Sequence, residues 1–184
     1  MYIRGNDMNH LLKTFKNTEL LEVYTYEGAN KCLVGYILHT NEEQTLLAAI
    51  GTSGLYDGYT VLATDSIVSV ATETEYLKKI EKLYKLKKQA HPTYKGDTED
   101  LIGGALSYSK EQNYIVSLML VDSDEYATTG FVNELINDEI VLISEVDSFG
   151  SIDGKRFIDI EAIEHVTIDG EDEQDRKLLF SHNV

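Results

Sequence analysis

Short runs of β-branched and aromatic residues, bounded by turn residues, recur along the chain and predict strands. In the first half, these runs cover residues 20–26, 32–39, 45–50, 59–63 and 67–71. In the second half, they cover residues 114–121, 127–135, 140–146, 156–160 and 162–168. Apolar residues at helical spacing precede each series, within residues 7–16 and again within residues 99–110. The pattern predicts a helix followed by five short strands, and it predicts this arrangement twice.

The two halves also resemble each other position by position. Residues 57–70 align with residues 153–166 at a constant offset of 96, and an Asp-Gly pair begins both segments. The apolar residues Val61, Leu62, Ile67 and Val70 fall on Phe157, Ile158, Ile163 and Val166. With one residue of slip, Gly35 falls on Gly130, and Leu46-Leu47 on Val141-Leu142. The alignment predicts an internal repeat.

A third helical pattern lies between the two series, within residues 72–90, where Leu77, Ile80 and Leu83 follow helical spacing. Thr72 and Glu75 fit a capping box at its start. Residues 91–96 include the only proline and predict a linker. We therefore predict a first barrel with its helix over residues 1–72, a connecting helix and linker over 73–97, and a second barrel with a tail over 98–184.

Charge separates the two halves. The chain has 184 residues, and its 32 acidic and 16 basic side chains give a net charge of -16. Residues 1–92 carry 10 basic and 11 acidic side chains, whereas residues 93–184 carry 6 and 21. The acidic excess excludes a nucleic-acid binder that works by bulk charge. The basic residues of the connecting helix are Lys78, Lys79, Lys82, Lys85, Lys87 and Lys88. They predict a solvated helix face, or a stripe that lies against an acidic barrel.

The chain offers few signals for cofactors, metals or membranes. A lone cysteine, Cys32, excludes a disulfide framework and a multi-cysteine zinc site. No apolar run reaches 18 residues, and residues 1–16 lack a signal-peptide pattern. We expect a cytoplasmic protein with no membrane partner, no metal and no cofactor.

A helix followed by five short strands, with a glycine in the second strand and a paired fourth and fifth strand, resembles the Sm-like family (Sm, LSm and Hfq proteins). Gly35 and Ile37 fit the glycine and apolar residue of the family's second strand. The resemblance implies a fold class that is mostly β with helices: two tandem SH3-like, Sm-like five-stranded barrels, each preceded by a short helix.

The resemblance also implies a nucleotide pocket, because family members bind RNA on ring-shaped oligomers. The family's loop positions that hold a base correspond to Asn41, Gln44 and Thr45. A second family motif, which contains an Arg-Gly pair, corresponds to residues 62–67, and Thr64 takes the position of its glycine. Tyr36 adds an aromatic ring nearby in sequence. Neither half has the family's Met-Asn pair or its Arg. The second half has Ile136, Glu139, Ile140 and Asp159-Ile160 at these positions.

No arrangement of residues indicates catalysis. The five histidines form no metal-binding pair, and the chain has no nucleophile elbow. The acidic segments 122–125 and 169–175 lack the ligand spacing of a calcium loop. The 12 tyrosines favour protein interfaces or half-buried strands over nucleic-acid stacking, which needs positive charge beside the rings.

These observations predict a non-catalytic interaction module that assembles through its barrel edges with further copies of itself or with another protein. Two alternatives stay open. The first is a diverged RNA-binding protein that uses the first barrel, which the net charge disfavours. The second is an acidic mimic of nucleic acid that occupies a basic protein site through residues 93–184.

Overall fold

The computed structural model describes residues 5–26, 32–121 and 126–183. The chain divides into two compact units, Met1–Thr93 and Tyr94–Val184. The described residues contain ten strands, all in antiparallel pairs, and four α-helices. The prediction of a mostly-β protein with helices is confirmed.

Unit 1 consists of a short helix, five strands and a second helix. Its elements are α1 (Gly5–Leu12), β1 (Leu20–Thr25), β2 (Cys32–Thr40), β3 (Gln44–Ile50), β4 (Tyr56–Ala63), β5 (Ile67–Ala71) and α2 (Glu75–Leu86). The strands lie in the order β5-β1-β2-β3-β4. A 3-10 turn, Thr64–Ser66, joins β4 to β5. The resemblance predicted that these two strands, the fourth and fifth, pair with each other. Instead, β5 pairs with β1, so β4 and β5 lie at opposite ends of the strand order of unit 1.

Unit 2 has the same sequence of elements. They are α3 (Leu101–Gln112), β6 (Ile115–Leu120), β7 (Tyr126–Ile136), β8 (Ile140–Val146), β9 (Ile152–Asp159), β10 (Ile163–Ile168) and α4 (Glu171–Asn183). The strand order is β10-β6-β7-β8-β9, and a 3-10 turn, Ile160–Ala162, joins β9 to β10. Within its own unit, each strand of unit 2 therefore has the same neighbours as its counterpart in unit 1.

The two units also share their pairing registers. Tyr36 pairs with Ala48 in unit 1, and Phe131 with Ser144 in unit 2. The irregularity between Ile37 and His39 recurs between Val132 and Glu134. The offset is 95 in the first two strands and 96 in the last three. The extra residue lies in the β7–β8 turn.

This register corrects one detail of the sequence alignment. Leu46 pairs with Val61, and Leu142 pairs with Phe157, so Leu46 corresponds to Leu142 and not to Val141. The alignment shifted these positions because Val and Leu are both apolar, so the pattern alone fits either register. Strand pairing decides between them because a shift of one residue reverses the face of every side chain.

Two hydrophobic clusters hold unit 1 together, one on each side of its sheet. The α1 cluster contains Leu12, Leu21, Val23, Ile37, Leu47, Leu62 and Ile67, with Met8 and Phe15 packed against it. The α2 cluster contains Val34, Ile50, Leu77, Ile80 and Tyr84, with Leu20, Cys32, Tyr36 and Tyr76 packed against it. Helices therefore cover the sheet of unit 1 from both sides.

Several helix boundaries differ from the predictions. Helix α2 begins at Glu75, because Thr74 is its N-cap and accepts a hydrogen bond from the Leu77 amide. Asp100 caps α3 in the same way, so this helix begins at Leu101, where the apolar pattern predicted a start near residue 99. Residues 171–183, expected as part of a tail, form helix α4. Its three acidic residues in the first turn suit the positive end of the helix dipole.

A close backbone approach at Gly35 shapes the sheet of unit 1. A Cβ atom on Gly35 would lie 2.6 Å from the Ala48 carbonyl oxygen, which belongs to the neighbouring strand. The Ser144 carbonyl crowds Gly130 in the same way in unit 2. A side chain at either position would force β2 away from β3, or β7 away from β8.

We expect Gly35→Ala to lower the free energy of unfolding by about 1–3 kcal/mol, because the added methyl overpacks a backbone contact. Chemical denaturation followed by circular dichroism measures the change. Gly51→Ala is the matched control, because the nearest atom to its Cβ would be 3.8 Å away. Equal stability of the two variants would contradict this account of Gly35.

Candidate functional site

Four of the five residues proposed for a nucleotide pocket lie close together in unit 1. Asn41 begins the β2–β3 turn, and its Oδ1 accepts hydrogen bonds from the Gln44 amide at 2.7 Å and the Glu43 amide at 3.0 Å. The side chain of Asn9 in α1 donates to the Asn41 carbonyl at 2.6 Å. Asn41 therefore stabilises the turn through its own side chain.

The two threonines of the predicted pocket contact each other beneath this turn. The hydroxyls of Thr45 and Thr64 are 2.9 Å apart, and Thr40 accepts a further bond from Thr45. Thr45 and Thr64 are buried. The Thr64 amide donates to the Glu43 carbonyl at 2.8 Å, which joins the β2–β3 turn to the β4–β5 turn. These hydroxyls are used within the protein.

Tyr36 lies elsewhere. Its ring packs against the α2 cluster, and the other four residues lie at the turns beside α1. Burial, with a smaller contribution from Glu81, raises the pKa of its hydroxyl. Tyr36 therefore belongs to the packing between α2 and the sheet. From the position of Tyr36 along β2, the sequence did not show which side of the sheet its ring faces.

Unit 2 has apolar residues at the positions of this threonine cluster. Thr45 corresponds to Val141, and Thr64 corresponds to Ile160. The backbone bond is kept, because the Ile160 amide donates to the Glu139 carbonyl at 2.8 Å. The polar cluster is thus particular to unit 1, whereas the joined turns are common to both units.

The predicted linker contains the centre of an aromatic cluster. The His91 ring lies 4.8 Å from the ring of Tyr56, 5.6 Å from that of Tyr59 and 5.8 Å from that of Tyr84. The hydroxyl of Tyr59, which is fully buried, donates to the Pro92 carbonyl. Residues 91–92 therefore pack into unit 1, and sequence reasoning missed this because the turn residues beside them suggested a solvated segment.

The hydrogen bonds of His91 indicate a neutral ring. Its Nε2 is 2.8 Å from the Ala49 carbonyl and 3.1 Å from the Gly58 carbonyl, so Nε2 carries a proton and donates. Its Nδ1 then accepts from the Tyr84 hydroxyl at 2.8 Å. Burial lowers the pKa of His91, although the two carbonyls oppose this effect.

The last strand of unit 2, β9, and the first strand in the order of unit 1, β5, both have exposed apolar side chains. Strand β9 is the last strand of unit 2, and only Ile158 of its eight residues is buried. Ile152 and Phe157 are 52% and 64% exposed. Strand β5 is the first strand in the order of unit 1, and its Val68 is 53% exposed. Exposed apolar side chains on a terminal strand are a feature of surfaces that pair with another chain.

The lysines of α2 are partly engaged within unit 1. Lys78 pairs with Glu75 at 2.6 Å, and Lys85 pairs with Glu81 at 2.7 Å. Lys87 donates to the Ser53 carbonyl at 2.8 Å. These contacts favour the interpretation of this stripe as a solvated helix face on which some of the lysines pair with glutamates of the same helix.

Other candidates for chemistry have simple structural roles. Across residues 5–26, 32–121 and 126–183, no group of three His, Cys, Asp or Glu side chains is placed to hold a metal ion. The acidic segment 122–125 lies outside the described residues. Cys32 is half-buried on β2, and burial raises the pKa of its thiol, which disfavours the reactive thiolate.

We expect the stability of the protein to fall as the pH drops below about 6.5, because the unfolded chain then binds protons that buried neutral histidines exclude. His91 contributes its full stabilisation at pH values above the pKa that it has in the unfolded chain. This stabilisation is lost as the pH falls toward the lower pKa of His91 in the folded protein. Denaturant titrations across this range should show a smaller pH dependence for His91→Gln.

The residual pH dependence of that variant should come from His165, because burial lowers its pKa to about 4. An unchanged pH dependence in His91→Gln would mean that His91 does not contribute.

The chain matches no protein-family model, no curated protein and no solved structure. In the part of the chain that the structure describes, no helix has the length and apolar character needed to cross a membrane. The function must therefore be argued from the surfaces and contacts of the two units.

Proposed function

We propose that this protein is a non-catalytic interaction module that assembles with further copies of itself through the terminal strands of its two units. We also propose that both units are diverged copies of one SH3-like, Sm-like barrel domain. The cellular compartment that fits this proposal is the cytoplasm.

The common ancestry is supported by correspondences that packing alone does not require. Both units repeat the strand order, the pairing registers and the positions of the register breaks. Both have a glycine in the second strand at the point of closest approach to the third strand. The turn before the fourth strand has Gly54 against Leu83 in unit 1 and Gly150 against Leu179 in unit 2.

The observation that carries the assembly proposal is the exposure of Phe157 on β9. Phe157 pairs with Leu142, which is half-buried. The corresponding pair in unit 1, Val61 and Leu46, is fully buried. This pair of positions is therefore buried in one unit and at least partly exposed in the other, on a strand that pairs with β8 at the end of the strand order among the described residues.

Strand β5 of a second copy is the complementary surface. Its sequence, Ile67 to Ala71, contains no charged residue and no proline, which are the residues that usually protect an edge strand from pairing. Val68 and Ser69 are exposed. Because β9 and β5 are different surfaces, their pairing is head-to-tail, and it produces a closed ring or a filament.

We expect the purified chain to form an assembly larger than a dimer, and we expect Phe157→Lys or Val68→Lys to dissociate it. A charge at either position opposes burial, and both residues are exposed, so the fold of the subunit should be unchanged. Native mass spectrometry and sedimentation velocity measure the state of assembly.

Phe149→Lys is the matched control, because Phe149 is 77% exposed but lies in the turn between β8 and β9. It should leave the assembly intact. A monomeric wild-type protein, or equal effects of Phe149→Lys and Phe157→Lys, would contradict assembly through β9. Recovery of the chain bound to a basic nucleic-acid-binding protein would instead favour the acidic mimic.

RNA binding by unit 1 is the second candidate, favoured by the proximity of Asn41, Gln44, Thr45 and Thr64. It predicts that the full chain binds oligo(U) or oligo(A) RNA with an affinity that decreases moderately with salt. Asn41→Ala should weaken binding several-fold, whereas Asn17→Ala, at an exposed position, should not. Fluorescence anisotropy measures both, and absence of salt-sensitive binding would exclude this function.

A further inference from the structure

Unit 2 contains a polar cavity of about 300 Å³ between helix α4 and the sheet. Strands β6, β7, β8 and β9 and the first half of α4 supply its walls. The lining residues are Ser117, Thr128, Thr129, Glu145, Val146, Asp147, Asp153, Arg156, Asp172, Glu173 and Arg176. The volume lies at the lower end of the range found for small-molecule sites and equals roughly ten water molecules.

Hydrogen bonds between its lining residues organise the cavity. Ser117 donates to the carboxylate of Glu173, which is only 4% exposed, and the Ser117 and Thr129 hydroxyls are 2.9 Å apart. Thr128 donates to Glu145 at 2.5 Å. A buried carboxylate and three hydroxyls thus form a fixed polar surface inside the unit.

The corresponding place in unit 1 is mostly apolar and contains one buried carboxylate, that of Glu22, which accepts hydrogen bonds from Tyr24 and Thr74. Thr129 corresponds to Val34 through the register of the first two strands, because Ser117 pairs with Thr129 as Glu22 pairs with Val34. Gly54 and Leu83 correspond to Gly150 and Leu179 at an offset of 96. At the same offset, Leu77 corresponds to Glu173 and Ile80 corresponds to Arg176. All three apolar residues belong to the α2 cluster.

The surroundings of the buried carboxylate distinguish the two units. Unit 1 places apolar side chains, Val34, Leu77 and Ile80, at the positions where unit 2 has Thr129, Glu173 and Arg176. A buried carboxylate that lines an open cavity among further polar side chains, where the same fold permits apolar ones, indicates a binding site.

The charges of the cavity select the class of ligand. Its lining contains five carboxylates and two guanidiniums. Both guanidiniums are already engaged, since Arg156 pairs with Glu145 at 2.8 Å and Arg176 donates to the Val146 carbonyl at 2.9 Å. Asp153 and Asp172 line the cavity from exposed positions on β9 and α4. The field at the opening is therefore negative, and it favours a cation.

We infer that this cavity binds a small organic cation through an ammonium or guanidinium group. Asp153 and Asp172 attract the cation. The hydroxyl oxygens of Ser117 and Thr129 and the carboxylate of Glu173 accept hydrogen bonds from it. A metal ion fits this site less well, because no three of its carboxylates converge on one point among the described residues. This inference does not depend on the assembly through β9 and β5.

The test is isothermal titration calorimetry of the full chain with agmatine, which has both an ammonium and a guanidinium group. Saturable binding of one agmatine per chain is the expected result. The variant Asp153→Asn/Asp172→Asn should weaken binding about tenfold, because it removes two charges that face the ligand. Both residues are exposed, so the variant should fold like the wild type.

Asp175→Asn is the control for the loss of a surface charge on α4, because Asp175 is exposed there but does not line the cavity. It should bind agmatine like the wild type. Equal weakening by Asp175→Asn, equal binding of Mg²⁺, preferential binding of inorganic phosphate, or no binding of agmatine would each overturn the inference.

A comparison of ligands distinguishes the source of the cation. Tighter binding of agmatine and cadaverine indicates a free diamine, whereas tighter binding of Nα-acetyl-arginine amide indicates the side chain of a protein. Ser117→Ala tests the inner wall separately, because it removes a hydroxyl that contacts Glu173 and Thr129. It should weaken agmatine binding, and unchanged binding would place the ligand outside the cavity.

Discussion

In each unit, the helix that follows the fifth strand packs onto the sheet. Much of the structure of the unit depends on this contact. A glycine permits it, because a Cβ atom on Gly54 would lie 2.5 Å from Leu83, and one on Gly150 would lie 2.6 Å from Leu179. Helix α2 contacts β1, and α4 contacts β6. This contact forms a space between the helix and one side of the sheet, and the residues that line the space decide what each unit can do.

In unit 1 this space is filled mainly by apolar side chains beside the buried Glu22 carboxylate, whereas in unit 2 it is a polar cavity. The difference follows from a few residues on one face of the helix, where Leu77 and Ile80 stand against Glu173 and Arg176. A shared backbone can accept both solutions because hydrogen bonds satisfy the buried carboxylate. Unit 1 therefore gains stability from burial, and unit 2 gains a surface that can recognise a charged ligand.

Much of the fold was predictable because its signals are local. Strand runs and the spacing of apolar residues placed most elements within a few residues of their observed bounds. Helix α4 was missed because its many charges resemble a solvated tail. The offset of 96, continued to Leu179 and Phe180, would have revealed its likeness to α2. The role of His91 had no local signal, since its partners Ala49 and Gly58 are distant in sequence.

The sequence by itself determined the mostly-β class, the two similar halves and the acidic second half, because periodicity, turn chemistry and charge act between neighbours along the chain. Only the tertiary structure decided which side of the sheet Tyr36 faces, that Thr45 and Thr64 use their hydroxyls on each other, and that polar residues from four strands and α4 surround one cavity. These outcomes depend on strand pairing and helix packing between distant segments, and many arrangements of such segments are compatible with the same local pattern.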